Sequence, residues 1–217
     1  MVKLVQRMSQ QFYSGNTGSP IYKWEMFHLE NGNPNTRFMT RKNVNEAGMH
    51  TGIVLSAATC VWLPLSHQRL FDFLSDTTHR NWWDILTKTS SVETPISIQK
   101  ANSQSNFSLL HILWSGMRVV QESWCDTSGA YMVYAPVETG QIADVLVRGA
   151  AADNIKILPS GFSILPDGVF AGGCLLSFGL QVLLSHNPTG ELPQASVKTV
   201  GELIDYTIAR IRSAFHI

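Results

Sequence analysis

Pro64-Leu-Ser-His-Gln-Arg-Leu-Phe-Asp-Phe-Leu-Ser-Asp-Thr-Thr-His-Arg-Asn-Trp-Trp-Asp-Ile-Leu86 decides the fold of this chain. It reads as a short helix over 67–75 with Ser66 as its N-cap, followed by a turn that spends two tryptophans and an aspartate. Leu70, Phe71 and Leu74 share one face of that helix. Directly before it lies Ile53-Val-Leu-Ser-Ala-Ala-Thr-Cys-Val-Trp-Leu63, a strand whose two faces are both apolar or small. Such a strand is covered on both sides or curls round a core. Strand, proline, short amphipathic helix and tryptophan-rich turn together open a domain built around a hydrophobic cavity. That order points to binding rather than catalysis.

Working outward, Leu4, Met8 and Phe12 recur at helical spacing in residues 1–13, and Ser14-Gly-Asn-Thr-Gly-Ser-Pro20 breaks the pattern. With no N-cap and the stripe already running, this first helix reads as the tail of a longer one. Tyr22–Leu29 and Arg37–Lys42 are expected to form a hairpin around Asn31-Gly32. Further strands are expected at Val92–Lys100, Phe107–Trp114, Arg118–Asp126, Ala130–Val137, Ile142–Arg148, Ile155–Leu158, Phe162–Leu165 and Cys174–Leu184. Asp126-Thr-Ser-Gly129 is a hairpin turn. A long amphipathic helix, capped by Ser196, ends the chain; Val197, Val200, Ile204, Ile208, Ile211 and Phe215 form its buried stripe. The economical packing is α+β: a START-like helix-grip, with a curved antiparallel sheet around the long C-terminal helix and a cavity between them. A plain α+β sandwich, or two small domains split near residue 50, are the alternatives.

Composition narrows the function. Hydrophobic residues make up 44% of the 217, enough for a sizeable core. Only 15% are charged, against roughly 25% in an average soluble protein. Sixteen basic residues balance sixteen acidic ones, so there is no electrostatic footprint for DNA or RNA. Sparse, balanced charge favours self-association. Cys60, Cys125 and Cys174 are far apart and odd in number, fitting neither a disulfide framework nor a metal site, and a reducing compartment is expected. No segment has the length and apolarity of a membrane span.

Catalytic signals are missing. The sequence holds no Gly-x-Ser-x-Gly, no Walker loop and no Gly-x-Gly-x-x-Gly. Seven histidines are scattered without i,i+4 pairs, so no metal ligands are assigned. No cofactor is expected. His111, Glu122 and Tyr134 are the nearest to a catalytic set, and nothing in their spacing joins them. The polar-aromatic group Arg80, Trp82, Trp83 and Asp84 stands out. Arg80 can pair with Asp84 and lock the turn. Trp83 and Asp84 are read as scaffold, Arg80 and Trp82 as a candidate protein contact. Trp62, His111, Trp114 and Phe178 are candidate cavity lining.

Ile53–Pro64, Gln68–Asp76, Trp83-Asp-Ile-Leu86, Gln121-Glu-Ser123, Val133-Tyr-Ala-Pro-Val137 and Leu158-Pro-Ser-Gly-Phe-Ser-Ile-Leu-Pro-Asp-Gly168 resemble the C-terminal region of plant class IV homeodomain–leucine zipper transcription factors, the START-adjacent domain. The likeness runs from about residue 2 to 217. It implies a nuclear regulatory module, residues 21–217, with residues 1–20 as a helix and linker joining it to an upstream START domain. DNA would be bound by an upstream homeodomain and not by this segment. Homodimer formation, contact with other regulatory proteins, or a lipid-like ligand are the implied roles. Trp82 departs from the family, which usually has an acidic residue there. Gly168–Gly173 is short where relatives carry a longer polar loop, and Gly201-Glu-Leu-Ile-Asp205 replaces paired asparagines.

Overall fold

The computed structural model describes residues 2–18, 23–29, 33–87, 91–99, 105–113, 115–168 and 172–217. Helix α1 (Val2–Thr17) is followed by strands β1 (Glu25–Phe27), β2 (Thr36–Asn43) and β3 (Gly52–Leu63). Helices α2 (His67–Ser75) and α3 (Arg80–Trp83) lead into β4 (Val92–Gln99), β5 (Asn106–Ile112), β6 (Met117–Asp126) and β7 (Gly129–Val137). Helix α4 (Thr139–Arg148), β8 (Ser160–Pro166), β9 (Cys174–Ser185) and the long α5 (Gln194–Ala214) complete the order. The strands form one antiparallel sheet, ordered β1-β2-β3-β9-β8-β7-β6-β5-β4. This is the helix-grip arrangement: a curved sheet with the C-terminal helix laid across one face.

The alternation of each strand sorts two cores. Phe38, Leu55, Ala57, Met132 and Phe162 pack on the face shared by α2, α3 and α5, where α5 contributes Val197, Val200, Ile204, Ile208 and Ile211. Leu109, Val120, Val133 and Ala135 point the other way, onto Leu4, Met8 and Phe12 of α1. Coverage of both faces accounts for the continuously apolar β3, whose first eight residues are all buried. Two buried hydrogen bonds fasten α1 down: Ser56 Oγ donates to Gly15 O at 2.9 Å and Gln181 Nε2 to Gln11 O at 2.9 Å. Helix α1 is therefore packed onto the sheet. Gly201 lets α5 come close to β2, because a Cβ there would lie 3.1 Å from the Phe38 ring.

Several sequence expectations are corrected. Residues 142–148 belong to helix α4, which runs into Gly149 in the left-handed region at φ +67°. Residues 155–158 form no strand; they run irregularly and bury Ile155 and Ile157 beneath α1. Helix α1 continues to Thr17, because Ser14 and Thr17 return their hydroxyls to the carbonyls of Gln11 and Tyr13. Helix α5 starts at Gln194 with Pro193 at the N-cap, so Ser196 is inside it. The Asn31-Gly32 turn lies outside the described residues.

Ser66 caps α2 as expected, accepting from Arg69 N at 3.3 Å. Ser66→Ala is expected to cost about 1 kcal/mol. In thermal unfolding that appears as a Tm lower by about 3 °C for a domain of this size.

Candidate functional site

Helix α3 is a single turn, and its period decides which side chains go inward. Arg80 and Trp83, three apart, are each 1% exposed, while Trp82 between them is 48% exposed. Asp84 caps the turn by donating its N–H to Arg80 O at 2.9 Å. Its carboxylate accepts from Leu86 N at 3.0 Å through Oδ1 and from Arg80 Nε at 2.7 Å through Oδ2. The expected lock is present, and both partners are buried.

The Arg80 guanidinium also donates through Nη1 to Gln121 Oε1. It lies 4.6 Å from the Tyr134 ring centre and 5.0 Å from that of Trp83. Burial, reinforced by the Asp84 charge, pushes the Tyr134 phenol up, so it stays protonated. Trp83 meets Phe162 edge-on with centroids 5.1 Å apart, and Phe162 stacks on Phe178 at 4.7 Å. These side chains occupy the space between sheet and helix. A pocket of about 240 Å³ remains beside them, lined by Trp83, Leu86, Phe178, Leu180 and Leu203 among others. A larger hollow also lies against α5. The largest among those described, about 890 Å³, is a cleft between the β1–β2 side and α5 with His28, Lys198, Glu202 and Asp205 in its walls.

Placement of the other named residues follows strand parity. Phe178 is 3% exposed and lines the pocket. Trp62 is on the face opposite α5, 52% exposed, its Nε1 donating to Asp167 Oδ2 at 3.3 Å; it lines no cavity beneath the helix. His111 alternates with the core residues Leu110 and Ile112 and so faces the α1 side. Trp114 lies outside the described residues. Arg80 is in the interior and cannot serve as a surface contact. Trp82 is outside, with Arg210 5.5 Å from its ring centre and donating from Nε to its carbonyl at 2.8 Å. Ile85 and Leu86, 45% and 40% exposed, extend that apolar surface. His111 and Glu122 are on the opposite face from Tyr134, so the three do not converge; Glu122 accepts from Ser9 Oγ at 2.7 Å.

Sequence reading missed Gln121 and Arg210. Gln121 had a usable signal: it is directly opposite Tyr134 in the β6–β7 register, a polar residue on an inward-facing position. Among the described residues no group of His, Cys, Asp and Glu could hold a metal ion, and no helix is long and apolar enough to cross a membrane.

The model of PDF2-like C-terminal domains matches residues 1–217. The chain belongs to the PDF2-like C-terminal domain family. The homeobox-leucine zipper protein HDG7 of Arabidopsis thaliana is 43% identical across all of this chain and 34% of its own length. ANTHOCYANINLESS 2 of the same plant is 38% identical over 99% of this chain and 29% of its own. These relatives are class IV homeodomain–leucine zipper proteins, not enzymes, and the resemblance read from the sequence holds across the whole PDF2-like domain. The domain spans about a third of the length of the curated relatives it matches. Among solved structures, human STARD10 is 14% identical, covering 94% of this chain and 77% of that one at a TM-score of 0.49.

Proposed function

We propose that this domain is a non-enzymatic regulatory module of a nuclear homeodomain–leucine zipper transcription factor, and that it works by protein contact, first of all as a homodimer. DNA contact is left to other parts of the protein. The observation that carries the reading is the division of labour between neighbouring tryptophans. Trp83, Tyr134 and Phe162 take up the space beneath the helix, and Trp82, Ile85 and Leu86 present apolar surface outside it. An exposed tryptophan flanked by aliphatic side chains and held by an arginine has the make-up of an interface hot spot. The balanced charge, sixteen against sixteen, sets no repulsion against a second copy.

Sedimentation equilibrium over a wide concentration range tests this. Wild type is expected to associate, and Trp82→Ala to weaken association by about 30-fold while unfolding at nearly the same temperature. A wild-type domain that stays monomeric at the highest concentration reached sinks the homodimer.

A further inference from the structure

A hollow of a different kind lies away from α5, which contributes none of its described walls. It measures about 390 Å³, opens between the C-terminal end of α2 and the inner face of β4, β5 and β6, and is lined mostly by polar side chains. The strands set these out in rows. Ser97, Ser108 and Gln121 stand opposite one another on β4, β5 and β6, and Asn106 stands opposite Ser123. Ser108, Gln121 and Ser123 are only 6%, 4% and 5% exposed. Neither serine hydroxyl has a hydrogen-bond partner among the described residues, and Gln121, whose Oε1 accepts from Arg80, leaves its Nε2 without an acceptor there. All three atoms are reachable from the hollow rather than sealed into the core. Thr77 and Thr94 add two more hydroxyls without partners among the described residues. The other polar walls are committed at least in part. Ser75 Oγ donates to Asp72 O at 3.4 Å, and Ser97 Oγ to Asn106 Oδ1 at 3.1 Å, which leaves the Asn106 Nδ2 donors to spare. Asp76 accepts from Thr78 N and Oγ1 at 2.8 and 2.7 Å through Oδ1, and its Oδ2 is 3.2 Å from His79 Nδ1. Phe71 and Leu110 supply the apolar part of the wall.

We propose that this hollow binds a neutral polyhydroxylated ring, a monosaccharide or a cyclitol, through Ser108, Ser123, Gln121 and Asn106. The chemistry follows from the inventory of the walls. Serine hydroxyls both donate and accept, and the two amides have donors left over, so the ligand must bring several groups that accept and donate in turn. Ring hydroxyls do this. Buried polar groups are normally paired, and three unpaired ones converging on one hollow call for a polar occupant. Water wets such a hollow, and ligand hydroxyls that repeat its hydrogen bonds displace it without leaving a group unmatched. Neighbouring strands are about 4.8 Å apart, so the row Ser97, Ser108, Gln121 meets alternate hydroxyls of a six-membered ring. The C–H faces of that ring would rest on Phe71 and Leu110. Charge excludes the competitors. No cation is among the described walls, and Arg80 behind Gln121 is balanced by Asp84 at 2.7 Å, so an anion would lose its water with no counter-charge to receive it. A cation fares no better, because the Asp76 carboxylate is already engaged on both oxygens. The volume falls within the range of small-molecule sites, from roughly 300 to 1,000 Å³. The site shares no residue with the Trp82 surface and stands whichever way the homodimer test falls.

Glucose, galactose, mannose and myo-inositol are the probes, with cyclohexanol as a ring that carries a single hydroxyl. In a nitrogen-15-labelled wild-type domain, at least one of the four polyols is expected to move the side-chain amide signals of Gln121 and Asn106 in a saturable way, and cyclohexanol is not. Ser108→Ala combined with Ser123→Ala is expected to weaken that binding by at least about tenfold. The same double variant is expected to unfold at or slightly above the wild-type temperature, because neither hydroxyl has a protein partner to lose. Gln121 is left intact in this test, since it also holds Arg80. The proposal is overturned if none of the four polyols binds, if cyclohexanol binds as well as they do, or if the double variant keeps wild-type affinity. Should the double variant not fold, the wild-type signals decide: binding that leaves both amides unmoved overturns the site.

Discussion

Trp83→Ala is expected to destabilise the domain by about 3–5 kcal/mol, a large share of the roughly 5–15 kcal/mol that holds a typical domain folded. Trp83 is the largest fully buried side chain among the described residues. It touches elements far apart in sequence: Tyr134 on β7, with centroids 5.8 Å apart, and Phe162 on β8. Alanine would join the vacated volume to the existing pocket, and one side-chain rearrangement cannot fill both. Urea unfolding followed by circular dichroism measures the loss. A change below about 1 kcal/mol would mean that α3 is a surface feature and not the centre of the core. The adjacent Trp82→Ala should cost far less, and the contrast between the two is the sharper measurement.

The second large effect is electrostatic. Asp84→Asn keeps the shape and the acceptor for Leu86 N–H but removes the charge facing Arg80, and is expected to cost about 3–5 kcal/mol. The loss comes from stranding a guanidinium that is 2% exposed, not from the intrinsic strength of the pair. That distinction is testable. Arg80→Met combined with Asp84→Asn should recover most of the stability lost by Asp84→Asn alone, because no uncompensated charge remains. Unfolding free energies of the two single variants and the double variant close the cycle. A double variant as unstable as the sum of the singles would show that the pair contributes by geometry rather than by charge balance.

The helices and strands with strong periodicity were legible from the sequence: β3, the capped α2, the β6–β7 hairpin and the α5 stripe all stand close to where the pattern puts them. Residues 142–148 misled because isoleucine, valine and leucine crowd there. The helix announces itself by the 142 and 145 spacing and by Gly149 as its stop, signals weaker than the β-branched content. Trp62 and His111 read as cavity lining because they lie mid-strand. Only pairing register says which face a residue takes, and a shift of one reverses it. Arg80 reads as surface because charged residues usually are. Its burial depends on Gln121, forty-one residues away, which no local pattern reveals. How much of the space beneath α5 is packed is not legible for a simple reason: a cavity and a packed interior are lined by the same residue types.

The pairing of β3 with β9 has a consequence for how the chain is made. β3 pairs on one side with β2 and on the other with β9, whose first residue follows about 110 positions later. At the usual 5–20 residues per second, a ribosome needs on the order of 6–20 s to supply that second partner. Until then Ile53–Leu63 is an apolar edge without its neighbour, and α5, which covers it, is later still. The nascent domain therefore closes only at the end of its own synthesis, and a chaperone that shields β3 in the interval would raise its yield.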